Sequence, residues 1–372
     1  MGKARVDMTL LFVLIAIVVG LWIYARSALE GGDLRQFDEP RPGNWGDREQ
    51  ASPEHAAVVA RIQQLGAGAR QGMSRDERVR KMREGLEQAF GDAQVDAEIR
   101  AVSAGGVDCE WVLAPGADPR RRILYLHGGA FMAGSPASHR PLTARLSADN
   151  GAAVLSVDYR LMPENRRLDC LTDCCAAYRW ILENGPDGAA PLEALFVGGD
   201  SAGGNLTLAV LAWARDQRLR AADAAVAFSP LTDSTYSSPS LTTNLDTDVM
   251  LADAFRQIER IPRWVMLWGN LLLMRVSPPD ERVSPVFGSL AGLPPVLVQA
   301  STAEVLVDDG RRWVNKARSQ GTDATLQTWP GMVHVFQAFV PDLPEANEAL
   351  SEVQNFFDRH APRTATRTAA GS

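Results

Sequence analysis

An α/β fold with a mostly parallel central sheet and helices on both faces is what this sequence predicts, and three observations carry the prediction. Short apolar runs alternate with helix-forming windows from about residue 122 onward. One of those runs, ALFV at 194–197, leads straight into the pentapeptide GDSAG at 199–203. The 372 residues, 46% hydrophobic and 22% charged, supply enough apolar material for one large domain.

The expected strands are 122–126, 152–157, 194–197, 224–228, 295–299 and 324–329. They read as continuous apolar runs without alternation, the pattern of strands buried on both faces in a parallel sheet. Helical windows lie between them. The window 167–184 stops at Gly185, as a helix C-terminus should. The stretch 231–283 departs from this rhythm: it holds no clear strand, and Trp264, Trp268 and the run LLLM at 271–274 recur at helical spacing. It reads as a helical cap whose underside forms a substrate pocket. The plainer reading is an insertion that fills its own core, and the LLLM run offers a third, contact with a membrane. Amphipathic helical patterns occupy 54–90, broken by Gly-Ala-Gly.

The N-terminus carries an address. Residues 8–25 (MTLLFVLIAIVVGLWIYA) hold no charge, and as a helix they would reach about 27 Å, close to a bilayer core. Trp22 and Tyr24 fall at the far end, where interfacial aromatics belong. Lys3 and Arg5 precede the segment, which favours a single-pass N-terminal anchor (1–26) with the following domain extracytoplasmic. A small-x-small site at Ala25-Arg26-Ser27 keeps a cleaved, exported form in view. Residues 27–53, rich in Gly, Pro and acidic groups, read as a solvated tether, and 361–372 as a disordered tail.

Composition excludes other classes. The net charge of −7 and the lack of a Lys/Arg block argue against a nucleic-acid partner. Cys109, Cys170, Cys174 and Cys175 do not resemble a disulfide framework, and no histidine or second C-x-x-C lies at metal-ligand spacing. They are expected as buried thiols, with no metal and no organic cofactor.

A serine is a weak nucleophile unless it is held exposed beside a base, and a strained strand-to-helix elbow does this. Ser201, in the pentapeptide after a strand, is the candidate. A base that follows it must be His334 or His360. His360 closes a helix beside the tail, whereas His334, in PGMVHVF at 330–336, sits in a loop after a strand. The orienting carboxylate is sought after the strand 295–299, where Glu304, Asp308 and Asp309 occur. Glu304 comes before the helix begins; Asp308 and Asp309 fall in its first turn, where the helix dipole favours negative charge. The run HGGAF at 127–131 ends another strand, and its small residues let backbone N–H groups approach a developing oxyanion. His127 itself reads as a residue that holds this loop.

These motifs together resemble the hormone-sensitive-lipase-like branch of the α/β-hydrolases. The matching stretches are HGGAF, DYRLMPE at 158–164, GGDSAGGNL at 198–206, SPLTD at 229–233, DTDVML at 246–251, GLPPVLVQAS at 292–301, EVLVDD at 304–309 and GMVHVF at 331–336. The resemblance implies Ser201 as nucleophile, His334 as base and Glu304 as acid. It also implies an oxyanion hole at Gly128, Gly129, Ala130 and Ala202, with the backbone N–H groups of the last three as donors. Only the resemblance implies that the helical patterns at 54–90 belong to the same cap as 231–283. Two positions depart from the family pattern: Ala130 replaces the usual third glycine, and Glu304 stands where many relatives carry aspartate. The implied activity is hydrolysis of short- to medium-chain carboxylic esters through an acyl-enzyme, on a small-molecule substrate. An N-acyl amidase or deacetylase with the same triad is the alternative, and a non-catalytic small-molecule receptor the remaining one. A homodimer is left open.

Overall fold

The structure, a computed structural model, describes residues 8–40, 51–66, 73–88 and 94–363. Its sheet has eight strands: β1 (Glu98–Ala104), β2 (Val107–Leu113), β3 (Asp118–Leu126), β4 (Ala152–Val157), β5 (Ala194–Asp200), β6 (Ala224–Phe228), β7 (Val296–Ser301) and β8 (Ala324–Trp329). They lie in the order β1-β2-β4-β3-β5-β6-β7-β8. From β4 to β8 every neighbouring pair is parallel, while β2 runs antiparallel to both β1 and β4.

The helices are α1 (Met8–Tyr24), α2 (Pro53–Gly66), α3 (Arg75–Leu86), α4 (Arg140–Asn150), α5 (Arg167–Ile181), α6 (Ala202–Asp216), α7 (Ser240–Thr243), α8 (Ala252–Glu259), α9 (Arg263–Met274), α10 (Val307–Ser319) and α11 (Pro344–His360). Two apolar layers form, one on each face of the sheet. On one face α5, α6 and α10 bring Cys174, Leu206 and Trp313 against Leu124, Leu155 and Val197. On the other, α4 and α11 bring Leu146, Leu350 and Phe357 against Ile123, Val154 and Phe196, and the Phe196 and Phe357 rings stack at 4.1 Å. Burial on both sides is why β5 is apolar at every position up to the glycines that open its terminal turn.

Several expectations shift. The β1–β2 hairpin was not anticipated, although its turn is Gly105-Gly106, both at positive φ, which is the chemistry a two-residue hairpin needs. Helix α5 ends at Ile181 instead of running to 184, because the Asn184 side-chain amide takes the Trp180 carbonyl. The stretch 27–53 is not simply a solvated tether. Leu29 and Leu34 are buried, Asp38 pairs with the buried Arg312, and the Asn315 side chain donates to the Phe37 and Glu39 carbonyls. Residues 41–50 and most of the 361–372 tail lie outside the described residues. All four cysteines are buried and unbridged.

Candidate active site

The C-terminal ends of the parallel strands carry three turns that matter. The first joins β5 to α6. Ser201 sits there with φ 52° and ψ −113°, a conformation L-residues rarely adopt. Its N–H donates to the Phe228 carbonyl at 2.7 Å, which pins the turn to β6. The flanking glycines answer to space: a Cβ at Gly199 would lie 2.5 Å from the Leu126 and Gly203 carbonyl oxygens, and one at Gly203 would overlap the Leu126 carbonyl. Only glycine lets α6 start this close to β3.

The second turn follows β8. His334 is buried there, and its Nε2 lies 3.0 Å from Ser201 Oγ. The next residue, Val335, has φ 52° and donates its N–H to Ser229 Oγ, which fixes the bend. The third turn joins β7 to α10. Glu304 is fully buried in it, with Oε2 2.7 Å from His334 Nδ1 and Oε1 accepting the Ser301 N–H at 3.2 Å. With Glu304 ionised, Nδ1–H donates to the carboxylate and leaves Nε2 to accept the Ser201 proton.

Electrostatics follow from this packing. Burial alone pulls the His334 imidazole down, but the hydrogen bond and charge of Glu304 more than reverse it and hold it above its ordinary value. Burial raises the Glu304 carboxyl, and His334 offsets only part of the rise. The other acid candidates turn elsewhere. Asp308 accepts the Ser240 N–H and pairs with Arg311. Asp309 accepts the N–H groups of Thr232 and Asp233, and burial together with the Asp233 charge pushes it up to about 7. His360 closes α11, away from Ser201, near Asp323.

The HGGAF loop follows β3, whose end pairs with the end of β5 that leads into Ser201. Gly129 has φ 116° and its carbonyl takes the N–H groups of Met132 and Ala133, so the loop doubles back. Ala130 and Phe131 follow at φ 54° and 60°. For Ala130 the left-handed backbone costs about 1 kcal/mol relative to glycine. Gly128 requires a correction: its N–H donates to Asp200 Oδ1 at 3.0 Å, so it cannot also serve an oxyanion. Among the described residues the Gly129 and Ala130 N–H groups make no hydrogen bond, and Ala202 opens α6, where N–H groups lack helical partners.

Behind this loop lies a network that sequence reasoning missed. Asp200 is buried and accepts from Tyr125 Oη at 2.7 Å, with His139 Nε2 at 3.4 Å. Burial pulls His139 down and Asp200 up, yet their mutual attraction reverses both, so the imidazole titrates above and the carboxyl below its ordinary value. His127 stacks on Tyr159 at 4.2 Å and is pushed down to about 3 by burial and then by His139. Asp248 was missed as well: its carboxylate accepts the N–H groups of Met250, Leu251 and Val305, and so holds the Glu304 turn. Both aspartates stand inside motifs visible in the sequence, but a motif does not say which hydrogen bonds its acid makes. Among the described residues no three of His, Cys, Asp and Glu gather as a metal site.

A family model of the alpha/beta hydrolase fold matches residues 123–338, more than half of the chain. The chain belongs to the hormone-sensitive-lipase-like carboxylesterases of the α/β-hydrolase family. It is 37% identical over 314 residues to an acetyl-hydrolase of Streptomyces hygroscopicus, covering 84% of this chain and 98% of that protein. An esterase of Acinetobacter venetianus is 33% identical over 259 residues, 70% of this chain and 81% of its own. Among solved structures, an esterase of the bacterial hormone-sensitive lipase family superposes with a TM-score of 0.72 at 33% identity, over 84% of this chain and 99% of that one. The protein is an ester-hydrolysing enzyme.

Proposed function

We propose that the protein is a serine carboxylesterase that cleaves short- to medium-chain acyl esters through an acyl-enzyme. The hydrogen-bonded chain Glu304–His334–Ser201 carries this reading. As Ser201 Oγ attacks the ester carbonyl carbon, its proton passes to His334 Nε2, and Glu304 stabilises the imidazolium. The carbonyl electron pair moves onto oxygen, which the N–H groups of Gly129, Ala130 and Ala202 receive, each worth about 3 kcal/mol. The C–O bond then breaks, and His334 returns its proton to the departing alcohol. Water, deprotonated by the same imidazole, releases the acid and restores the serine. The acetyl-hydrolase and esterase relatives support a short acyl group.

The hydrolase domain in this reading spans 54–360, with a cap from about 54–90 and 231–283. Two contacts support the cap. Arg83 of α3 donates to the Met132 and Met162 carbonyls beside the HGGAF loop. The Asn205 side chain, one turn after Ser201, holds the carbonyls of Leu231 and Val283, the two roots of the second cap segment. The exposed, uncharged helix α1 serves as a single-pass anchor, with the domain on the extracytoplasmic side.

A fluorophosphonate probe tests the chemistry. It should label the protein on the peptide containing Ser201, and prior acylation by p-nitrophenyl butyrate should slow labelling. No labelling, or labelling at another residue, contradicts the proposal.

A further inference from the structure

Helix α9 carries an apolar face that none of the described residues covers. Its inner side packs on the chain just beyond α1: Met266 and Leu267 are buried against Ala25 and Leu29. Its outer side presents Val265 (39% exposed), Leu272 (74%) and Leu273 (40%), with Ile261 (43%) just before the helix. These lie at i, i+7 and i+8, one stripe of a helix. After Arg263 the helix has no charged residue through Met274. A soluble surface helix would place polar groups on that stripe.

The position of α1 says what the stripe meets. Its apolar side chains are exposed along the whole helix, and at 1.5 Å per residue it reaches about 26 Å. Its end is fixed to α9: Trp268 Nε1 donates to the Leu21 carbonyl at 3.1 Å, and Tyr24 stacks on Trp268 at 5.3 Å. Arg26 lies over the Trp22 ring at 5.4 Å. Three aromatic rings thus gather where the span ends, the arrangement of a membrane interface. Arg26, just past α1, and Arg260 and Arg275, on either side of α9 in the sequence, are exposed, and exposed arginines beside the end of a span suit anionic headgroups.

We infer that α9 docks on the bilayer surface through Ile261, Val265, Leu272 and Leu273, so that the enzyme is seated against the membrane and not merely leashed to it. The inference rests on the reading of α1 as an anchor. It also links the membrane to the reaction site: α9 holds its own segment through Asn270 to the Ser234 carbonyl, and that segment is rooted on Asn205 of α6, the helix that follows Ser201.

The test uses the full chain in phosphatidylcholine–phosphatidylglycerol vesicles. Leu272→Cys, and separately Leu273→Cys, is labelled with an environment-sensitive fluorophore; the native thiols are buried, with Cys109 and Cys175 pushed up to about 12 by burial, and stay unlabelled. Ser351→Cys, on the exposed side of α11, is the control. Lipids with a doxyl group near the headgroup should quench the probes on α9 about threefold or more relative to the control, and added salt should not dislodge the chain. A chain that floats with the vesicles while all three probes are quenched alike overturns the docking and leaves the anchor standing. A chain that does not float at all overturns both.

Discussion

At the scale of single residues, the site depends on an imidazole held in one tautomer by a buried carboxylate. Glu304 raises the proton affinity of His334, and the proposed acyl transfer needs that imidazole neutral. Activity therefore falls as pH drops through the raised His334 value, giving an acid limb above the ordinary histidine range of about 6.5. Glu304→Gln removes the carboxylate that raises it, so the limb moves to lower pH. The wrong tautomer is then favoured as well, and kcat/KM should fall about 10³–10⁴-fold. A pH–rate profile of the variant on p-nitrophenyl butyrate checks both effects. The convergence of Ser201, His334 and Glu304 was legible because each follows a recognisable strand and only a few candidates competed. The Gly128 assignment was not: whether a loop N–H faces the oxyanion or turns back to Asp200 depends on backbone orientation, to which composition is silent.

At the scale of elements, the ends of β3 and β5 and the loop between β3 and α4 are locked by the buried Asp200–His139 pair. The lowered Asp200 carboxyl stabilises the fold above its unfolded pKa and loses that contribution as pH falls through the folded value. The raised His139 does the reverse: its contribution is complete below the unfolded value and disappears as pH rises through the folded one. The pair is thus fully effective between about pH 4 and 6.5. The melting temperature should decline as pH is raised above that window, and His139→Gln should flatten the decline while lowering stability within it. Thermal melts from acid to alkaline pH read this directly. The parallel strands were visible because burial on two faces leaves an unbroken apolar run. The β1–β2 hairpin escaped because β1 is half exposed at a sheet edge, with Glu98 and Arg100 in its sequence, and only its Gly-Gly turn advertised it.

At the scale of the whole molecule, residues 25–40, which follow the N-terminal helix, belong to the folded body. Removal of residues 1–20 leaves the Leu21 and Tyr24 contacts with Trp268 in place and takes only exposed side chains from the described part of α1, so the melting temperature of the remainder should stay close to that of the full chain in detergent. Removal of 1–50 also uncovers the sites of Leu29 and Leu34 and leaves the buried Arg312 without Asp38, at a cost of about 2 kcal/mol or more. Differential scanning calorimetry of the two truncations separates these outcomes. Sequence composition pointed to a tether here, since Gly, Pro and acidic residues dominate, but a few anchoring side chains suffice to seat such a segment.

The proposed chemistry stands on an acyl-enzyme formed at Ser201, activated by His334 and Glu304. Steady-state kinetics of Ser201→Ala on p-nitrophenyl butyrate test it most directly. The expected result is a loss in kcat of about 10⁴-fold or more, with the fold intact by circular dichroism. Turnover within tenfold of the unsubstituted enzyme would contradict it.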